Sequence, residues 1–333
     1  MSRASRTEAA QPAPVPPRHG LHIVSGKGGT GKTTVAAALA CALASAGRRV
    51  LLCEVEGRNG IAELFGVTPL VGDEERRLTR TPSGGHVHGL SIDAEDALLE
   101  YLDTFYHLGL AGKALDRFGA IDFATSIAPG LRDVLLTGKV YEAVRRGPTG
   151  RPGAYDAVVL DAPPTGRISQ FLNVHEAVSG LARMGPIRNQ ADSIMQVLRS
   201  PTTVVHLVTL LEDMPVTETE EAVQALAPTR IAVGAVVENM VTPTPLSTEE
   251  LQRAAAGELP LAVPGWPEDH NAALAAEFAA VAARTLQQQE RHLRLTRLGL
   301  PLAAVAADPA GIDEGALFSI AAQLRDQLSL EAA

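Results

Sequence analysis

The stretch LHIVSGKGGTGKTT, residues 21–34, decides the fold. An apolar run from Leu21 to Ser25 stops at a glycine-rich turn, and a helix-forming run begins at Lys32. A strand that turns through glycines into a helix offers backbone N–H groups and a positive helix end to an anion. Gly26 to Thr33 fits the phosphate-loop pattern G-x-x-x-x-G-K-[ST]. Gly26, Gly28, Gly29 and Gly31, with Thr30 between them, let the backbone approach the phosphates of a nucleoside triphosphate. Lys32 is expected to span the β- and γ-phosphates, Thr33 to offer its hydroxyl to Mg²⁺, and Thr34 to reach the α-phosphate.

The loop holds a second lysine, Lys27, and lysine is scarce here. Lys27, Lys32, Lys113 and Lys139 are the only four in the chain. Lys27 lies where the loop bends away from its own phosphates, so it can reach the site of a facing copy. A cation delivered there stabilises charge on the phosphoryl oxygens, as an arginine finger does in trans. A solvated loop lysine is the alternative, and the residues alone leave both open.

With 333 residues, 46% of them hydrophobic and 20% charged, the chain suits one open α/β unit. A net charge of −9 argues against nucleic acid or an anionic membrane as the main partner. Cys41 falls on a small-residue helix and Cys53 at a strand end, and both read as buried thiols in a reducing compartment. No C-x-x-C pair is present, and no run reaches the length of a membrane span. Residues 1–19, rich in proline and alanine, are expected to form a disordered tail and not a signal peptide. A cytoplasmic protein without stable membrane anchoring is the expectation.

Apolar runs recur along the chain as RRVLLCEVE, VHGLSID, YDAVVLDAP, TTVVHLVTL, TRIAVGAVVEN, LPLAVPG and GLPLAAVA. Near-continuous Val/Ile/Leu strands separated by helices predict a doubly wound, mostly parallel sheet covered on both faces. Residues 20–330 are read as one domain, with helical insertions at about 94–148 and 169–200 forming a cap. In the first insertion Leu98, Tyr101, Leu102 and Phe105 share a helical face. A C-terminal helix carries its apolar stripe through Leu317, Ile320, Ala321, Leu324 and Leu328.

Three strand ends supply further candidates. Glu54 and Glu56 alternate onto one face at the end of RRVLLCEVE; one is suited to orient an attacking water, the other to touch water around Mg²⁺. Asp161 ends YDAVVLDAP and is placed to hold Mg²⁺ through water. The stiff turn after it brings up Gly166, whose N–H is suited to sense the γ-phosphate. Asn239 follows TRIAVGAVVE and suits either an adenine edge or a plain strand-end turn. His86 and His88 lie on a strand leading away from this region and read as structural rather than as metal ligands.

The block K-G-G-x-G-K-T-T resembles the deviant phosphate loop of dimeric ATPases that include MinD, ParA, the nitrogenase iron protein and the ArsA group. LDAPPTGRISQFL is similar to the switch II of ArsA-type ATPases, the arsenite-pump and tail-anchored-protein-targeting enzymes. LSIDAEDALLEYL, VTLLEDMPVTETEEAVQAL and VVENM are similar to further segments of that family. The resemblance covers most of residues 20–328. It implies a P-loop NTPase fold, ATP and Mg²⁺ as ligands, and a homodimer or a heterodimer with a related paralogue. It implies that Lys27 acts in trans, that Lys32, Thr33 and Asp161 hold Mg·ATP, that Asn239 meets adenine, and that Glu56 positions the hydrolytic water.

The departures from the family pattern also carry expectations. Switch I reads EGRNGIAEL, with Glu56 where the family has aspartate and Asn59 where it has histidine. One extra methylene displaces a carboxylate by about an ångström, enough to slow turnover on the order of 10²-fold. In switch II, Ala162 and Arg167 stand for threonine and histidine. Two cysteines cannot supply the three thiolates arsenite needs, and the helices after switch II are short for sheltering a transmembrane segment. The expectation is an ATPase acting on an unidentified client, a client protein among the candidates. The alternatives are a non-hydrolysing adaptor paired with a paralogue and a ParA/MinD-type positioning ATPase.

Overall fold

A computed structural model describes residues 20–45, 47–55, 59–72, 74–106, 129–147, 154–174, 186–259 and 261–330. The tail at 1–19, Glu56, and the parts of the helical insertions at 107–128, 148–153 and 175–185 lie outside the described residues.

The sheet is built from β1 (Gly20–Gly26), β2 (Arg49–Val55), β3 (Arg76–Arg80), β4 (His86–Ile92), β5 (Ala157–Asp161), β6 (Thr203–Thr209), β7 (Ala232–Val241) and β8 (Leu302–Ala306). Their spatial order is β3-β4-β2-β5-β1-β6-β7-β8. Every pairing is parallel except β3 with β4. The first strand to form the loop is therefore central, buried on both faces, and its apolar run needs no alternation.

Helix α1 (Lys32–Ala44) is buried on nearly every side because alanines at 36–38, 40, 42 and 44 let it lie close between the sheet and a second helix. That second helix is the C-terminal one, numbered below, whose predicted stripe is buried at Leu317, Ile320, Ala321, Leu324 and Leu328. Cys41 and Cys53 are both buried free thiols. Burial pushes Cys41 up to about 12 and raises Cys53 further, so neither is a ready nucleophile.

After α2 (Gly60–Leu64) and α3 (Ala94–Tyr106), the opposite face is covered by α4 (Pro129–Arg145), α5 (Thr165–Leu172), α6 (Pro186–Leu198) and α7 (Asp213–Leu226). Leu98 of α3 is buried, as its stripe predicts; the side chains of Tyr101, Leu102 and Phe105 lie outside the described residues. The chain continues through α8 (Thr248–Ala255) and α9 (Glu268–Thr296) and closes with α10 (Glu314–Gln327). Among the described residues no helix is long and apolar enough to cross a membrane.

The strand set differs from expectation in two places. LPLAVPG forms no strand over 261–265, where Pro264 lacks the N–H a ladder requires. Instead β3, sequence RRLTR, pairs antiparallel with β4 at the sheet edge. Its arginines mask an open edge from further pairing, which is why no apolar run announced it. The other unforeseen element is α9, 29 residues long. Its alanine-rich first half packs on α8 through Phe278, Ala282 and Leu286 against Leu251 and Ala254, a small core apart from the sheet.

One polar pair sits inside the sheet. His22 of β1 and His206 of β6 stack with ring centroids 5.3 Å apart, and His22 Nδ1 lies 3.0 Å from His206 Nε2. One ring donates and the other accepts, so a proton added on the accepting nitrogen breaks the bond. Burial lowers His206 from 6.5 to about 4. The unfolded chain then binds more protons than the folded one between these values. Stability is full above pH 6.5 and falls as pH drops towards 4. Urea titrations should show about 2 kcal/mol lost to this group between pH 7 and pH 5, and His206→Gln should remove that part of the slope.

Candidate functional site

The carboxyl ends of β1, β2, β5 and β7 converge on the loop between β1 and α1, the place where open α/β sheets bind ligands. Two of the loop glycines are fixed by their neighbours. A Cβ on Gly26 would lie 2.2 Å from the Val208 carbonyl oxygen, and one on Gly31 would lie 2.3 Å from Asn239 Nδ2. Gly29 and Gly31 also take φ of 84° and 82°, which side chains resist. At Gly28 and Gly29 a Cβ would meet nothing within 4 Å. The mouth of the loop is thus open space bordered by backbone.

Lys32 is buried, and its Nζ donates to the Lys27 carbonyl oxygen at 3.1 Å. The Thr30 hydroxyl caps the same oxygen at 2.9 Å. Thr33 Oγ1 donates to Asp161 Oδ2 at 2.6 Å, so the two expected Mg²⁺ partners already touch. Thr34 follows in the first turn of α1, half-buried.

Asp161 pairs in register with Val24 of β1 and Glu54 of β2. Directly opposed residues on neighbouring strands project to the same face, so Glu54 and Asp161 lie side by side. Glu54 is 1% exposed; its Oε2 accepts from the Ile61 N–H at 3.3 Å, while its Oε1 has no hydrogen-bond partner among the described residues. Asn59, with φ 55°, turns the chain into α2, and Gly60 packs against the Thr33 methyl. Threonine and carboxylate oxygens with a buried, unsatisfied acceptor beside them are the donor set a hard divalent cation takes. The residues fit Mg²⁺: Thr33 and Asp161 could hold it, with Glu54 close by. Glu56, one of the two expected carboxylates, lies outside the described residues.

The segment after β5 is tied to the loop strand. Ser25 Oγ donates to the Pro163 carbonyl at 2.7 Å and the Ala162 N–H to the Val24 carbonyl at 2.9 Å. Gly166 sits exposed in the first turn of α5. Arg167, where the family pattern has histidine, reaches the buried Asp133 at 3.5 Å and so joins this segment to α4.

Asn239 is brought to the loop, but its amide is engaged: Nδ2 donates to the Thr30 carbonyl at 2.8 Å. It braces the phosphate loop from β7. The next residue, Met240, has φ 55° and is 50% exposed, beside a bulge in the β7–β8 pairing. His86 and His88 lie at the opposite end, where β4 begins beside Arg49.

Lys27 does not point outward. It forms an ion pair with Glu218 of α7, and Glu218 Oε2 accepts from Thr165 Oγ1 at 3.3 Å. Glu218 was missed in the sequence as a site residue. The one signal for it was its place in the E-T step of VTETEEAV.

The profile of the anion-transporting ATPase family matches residues 20–202, more than half of the chain. The chain is 47% identical to ATPase BagA of Mycobacterium tuberculosis over 316 residues, covering 92% of this chain and 93% of that protein. It is also similar to ATPase GET3 of Kluyveromyces lactis, 28% identical over 185 residues, with 51% of this chain and 52% of that protein aligned. A parallel P-loop sheet of this order, a two-lysine glycine loop and a full-length relative at this identity lead to one assignment: the chain belongs to the ArsA-type, anion-transporting ATPase family.

Proposed function

We propose that the chain is a Mg²⁺-dependent ATP hydrolase that closes as a dimer of identical copies around its nucleotides. The observation that carries this reading is the convergence of Lys32, Thr33 and Asp161 on an open glycine loop. Lys32 exchanges the Lys27 carbonyl for phosphate oxygens. Thr33, and Asp161 through water, would hold Mg²⁺, which would supply charge neutralisation at the phosphates. The N–H groups of Gly28, Gly29 and Gly31 line the phosphates, Thr34 reaches the α-phosphate, Gly166 reads the γ-phosphate, and Asn239 lies where the adenine edge falls. Glu56 orients the attacking water and Lys27 crosses to the other copy. With a glutamate in that place, turnover is slow. The client is an unidentified protein, contacted through the helices that follow the switch segments.

Sedimentation velocity tests the reading. Mg·ATP is expected to shift the purified chain from one protomer to two, while ADP leaves it at one. Chelating the metal should dissolve the dimer and stop phosphate release. An ATP-loaded species that binds nucleotide yet stays monomeric at all concentrations would reduce the proposal to simple nucleotide binding.

A further inference from the structure

The cation expected to act across a dimer is held inside its own protomer. Lys27 pairs with Glu218, and the same carboxylate accepts from Thr165 in the first turn of the switch segment. Helix α7 is acidic along its length; Glu221 is exposed, and two of its other carboxylates are engaged with α9. Asp213 pairs with Arg291 at 2.7 Å and Glu220 with Arg294 at 2.6 Å, both on α9. Glu218 is the α7 carboxylate that faces the phosphate loop, and it joins the loop lysine to the segment after Asp161 through one side chain.

We infer that Glu218 is an intramolecular latch: it keeps Lys27 in its own protomer, so that dimer closure must break the Lys27–Glu218 pair twice, once in each copy. The inference rests on the trans reading of Lys27 proposed above. The side chains of the pair are 33% and 28% exposed. A pair this accessible is weak enough to open when a partner's phosphates compete, and strong enough to bias the unpaired protomer. Thr165 gives the latch its second function. When Lys27 leaves, Glu218 loses its counter-ion while still bonded to the segment after Asp161, so closure and the position of that segment are coupled.

The chain's four lysines make the test direct. In the nucleotide-free protein, an amine-reactive reagent followed by peptide mass analysis reads the exposure of each. Glu218→Gln should raise Lys27 labelling about five-fold relative to Lys139, whose own pair with Glu100 the substitution leaves intact. The same variant should tighten ATP-dependent dimerisation about ten-fold, since two latches are removed per dimer. An unchanged Lys27 to Lys139 labelling ratio overturns the latch. Increased labelling with unchanged or weakened dimerisation overturns its role in opposing closure. Failure of the trans reading shows separately, as a Lys27→Ala variant with undiminished turnover, because the labelling measurement does not depend on catalysis.

Discussion

Lys27→Ala is expected to lower steady-state ATP turnover by about 10³-fold or more while leaving nucleotide affinity within a few-fold, the pattern of a cation supplied in trans. The two effects separate because Lys32 and Thr33, not Lys27, contact the nucleotide of their own protomer in the proposed site. A residue that acts mainly on the transition state depresses kcat and kcat/KM together and spares binding. Lys27→Arg is the informative companion. Arginine keeps the charge but is longer and forked, so partial activity would mark a requirement for charge at that point. The decisive experiment mixes Lys27→Ala with a Glu56→Gln protein. Each mutant is inactive alone, but a mixed dimer contains one site with an intact water-orienting carboxylate and a partner lysine. Recovered turnover in the mixture requires the lysine to cross; its absence at concentrations where dimers form returns Lys27 to a role in its own protomer.

Glu56→Gln is expected to remove turnover by about 10² to 10⁴-fold, the range for losing a group that orients and deprotonates water. Glu54→Gln should behave differently. Glu54 is buried beside Asp161 and bonded to the start of α2, so neutralising it should weaken the Mg²⁺ dependence of nucleotide binding with a smaller change in saturated kcat. The check is turnover against Mg²⁺ concentration for both variants. If Glu54→Gln instead abolishes the chemical step and Glu56→Gln only shifts the Mg²⁺ requirement, the two carboxylates exchange roles.

The parts of the site legible in the sequence are those whose signals are local. The loop follows directly from a strand, a glycine run and a helix in one short stretch, and Asp161 follows from its place at the end of a buried strand. Asn239 was legible as a strand-end residue but not in its engagement with Thr30, because 209 residues separate the two. The Lys27–Glu218 pair spans 191 residues and exists because β1 and β6 are neighbours, which lets α7 descend beside the loop. Strand order of that kind is not written in any window of residues. β3 escaped because an edge strand is selected for charge, and α9 because a helix packed mainly on another helix shows alanines in place of a strong apolar stripe. The His22–His206 pair reads in the sequence as two ordinary strand residues, and the parallel register makes them a pair.

Among the described residues, helix α9 is tied to α7 and the sheet near its C-terminal end. Arg291 and Arg294 grip α7, His292 lies 2.8 Å from the buried Glu238 of β7, and burial raises that carboxyl above its usual range. The remaining length, out to Glu268, rides with α8. At about 1.5 Å per residue the rod is about 43 Å long, so a tilt of about 5° at its root displaces its tip by about 4 Å. Trp266, 51% exposed, stands just beyond that tip. A reorientation too small to notice beside the phosphates would thereby be enlarged into a displacement of an indole that fluorescence can follow, and since this is the chain's single tryptophan, no second indole obscures it.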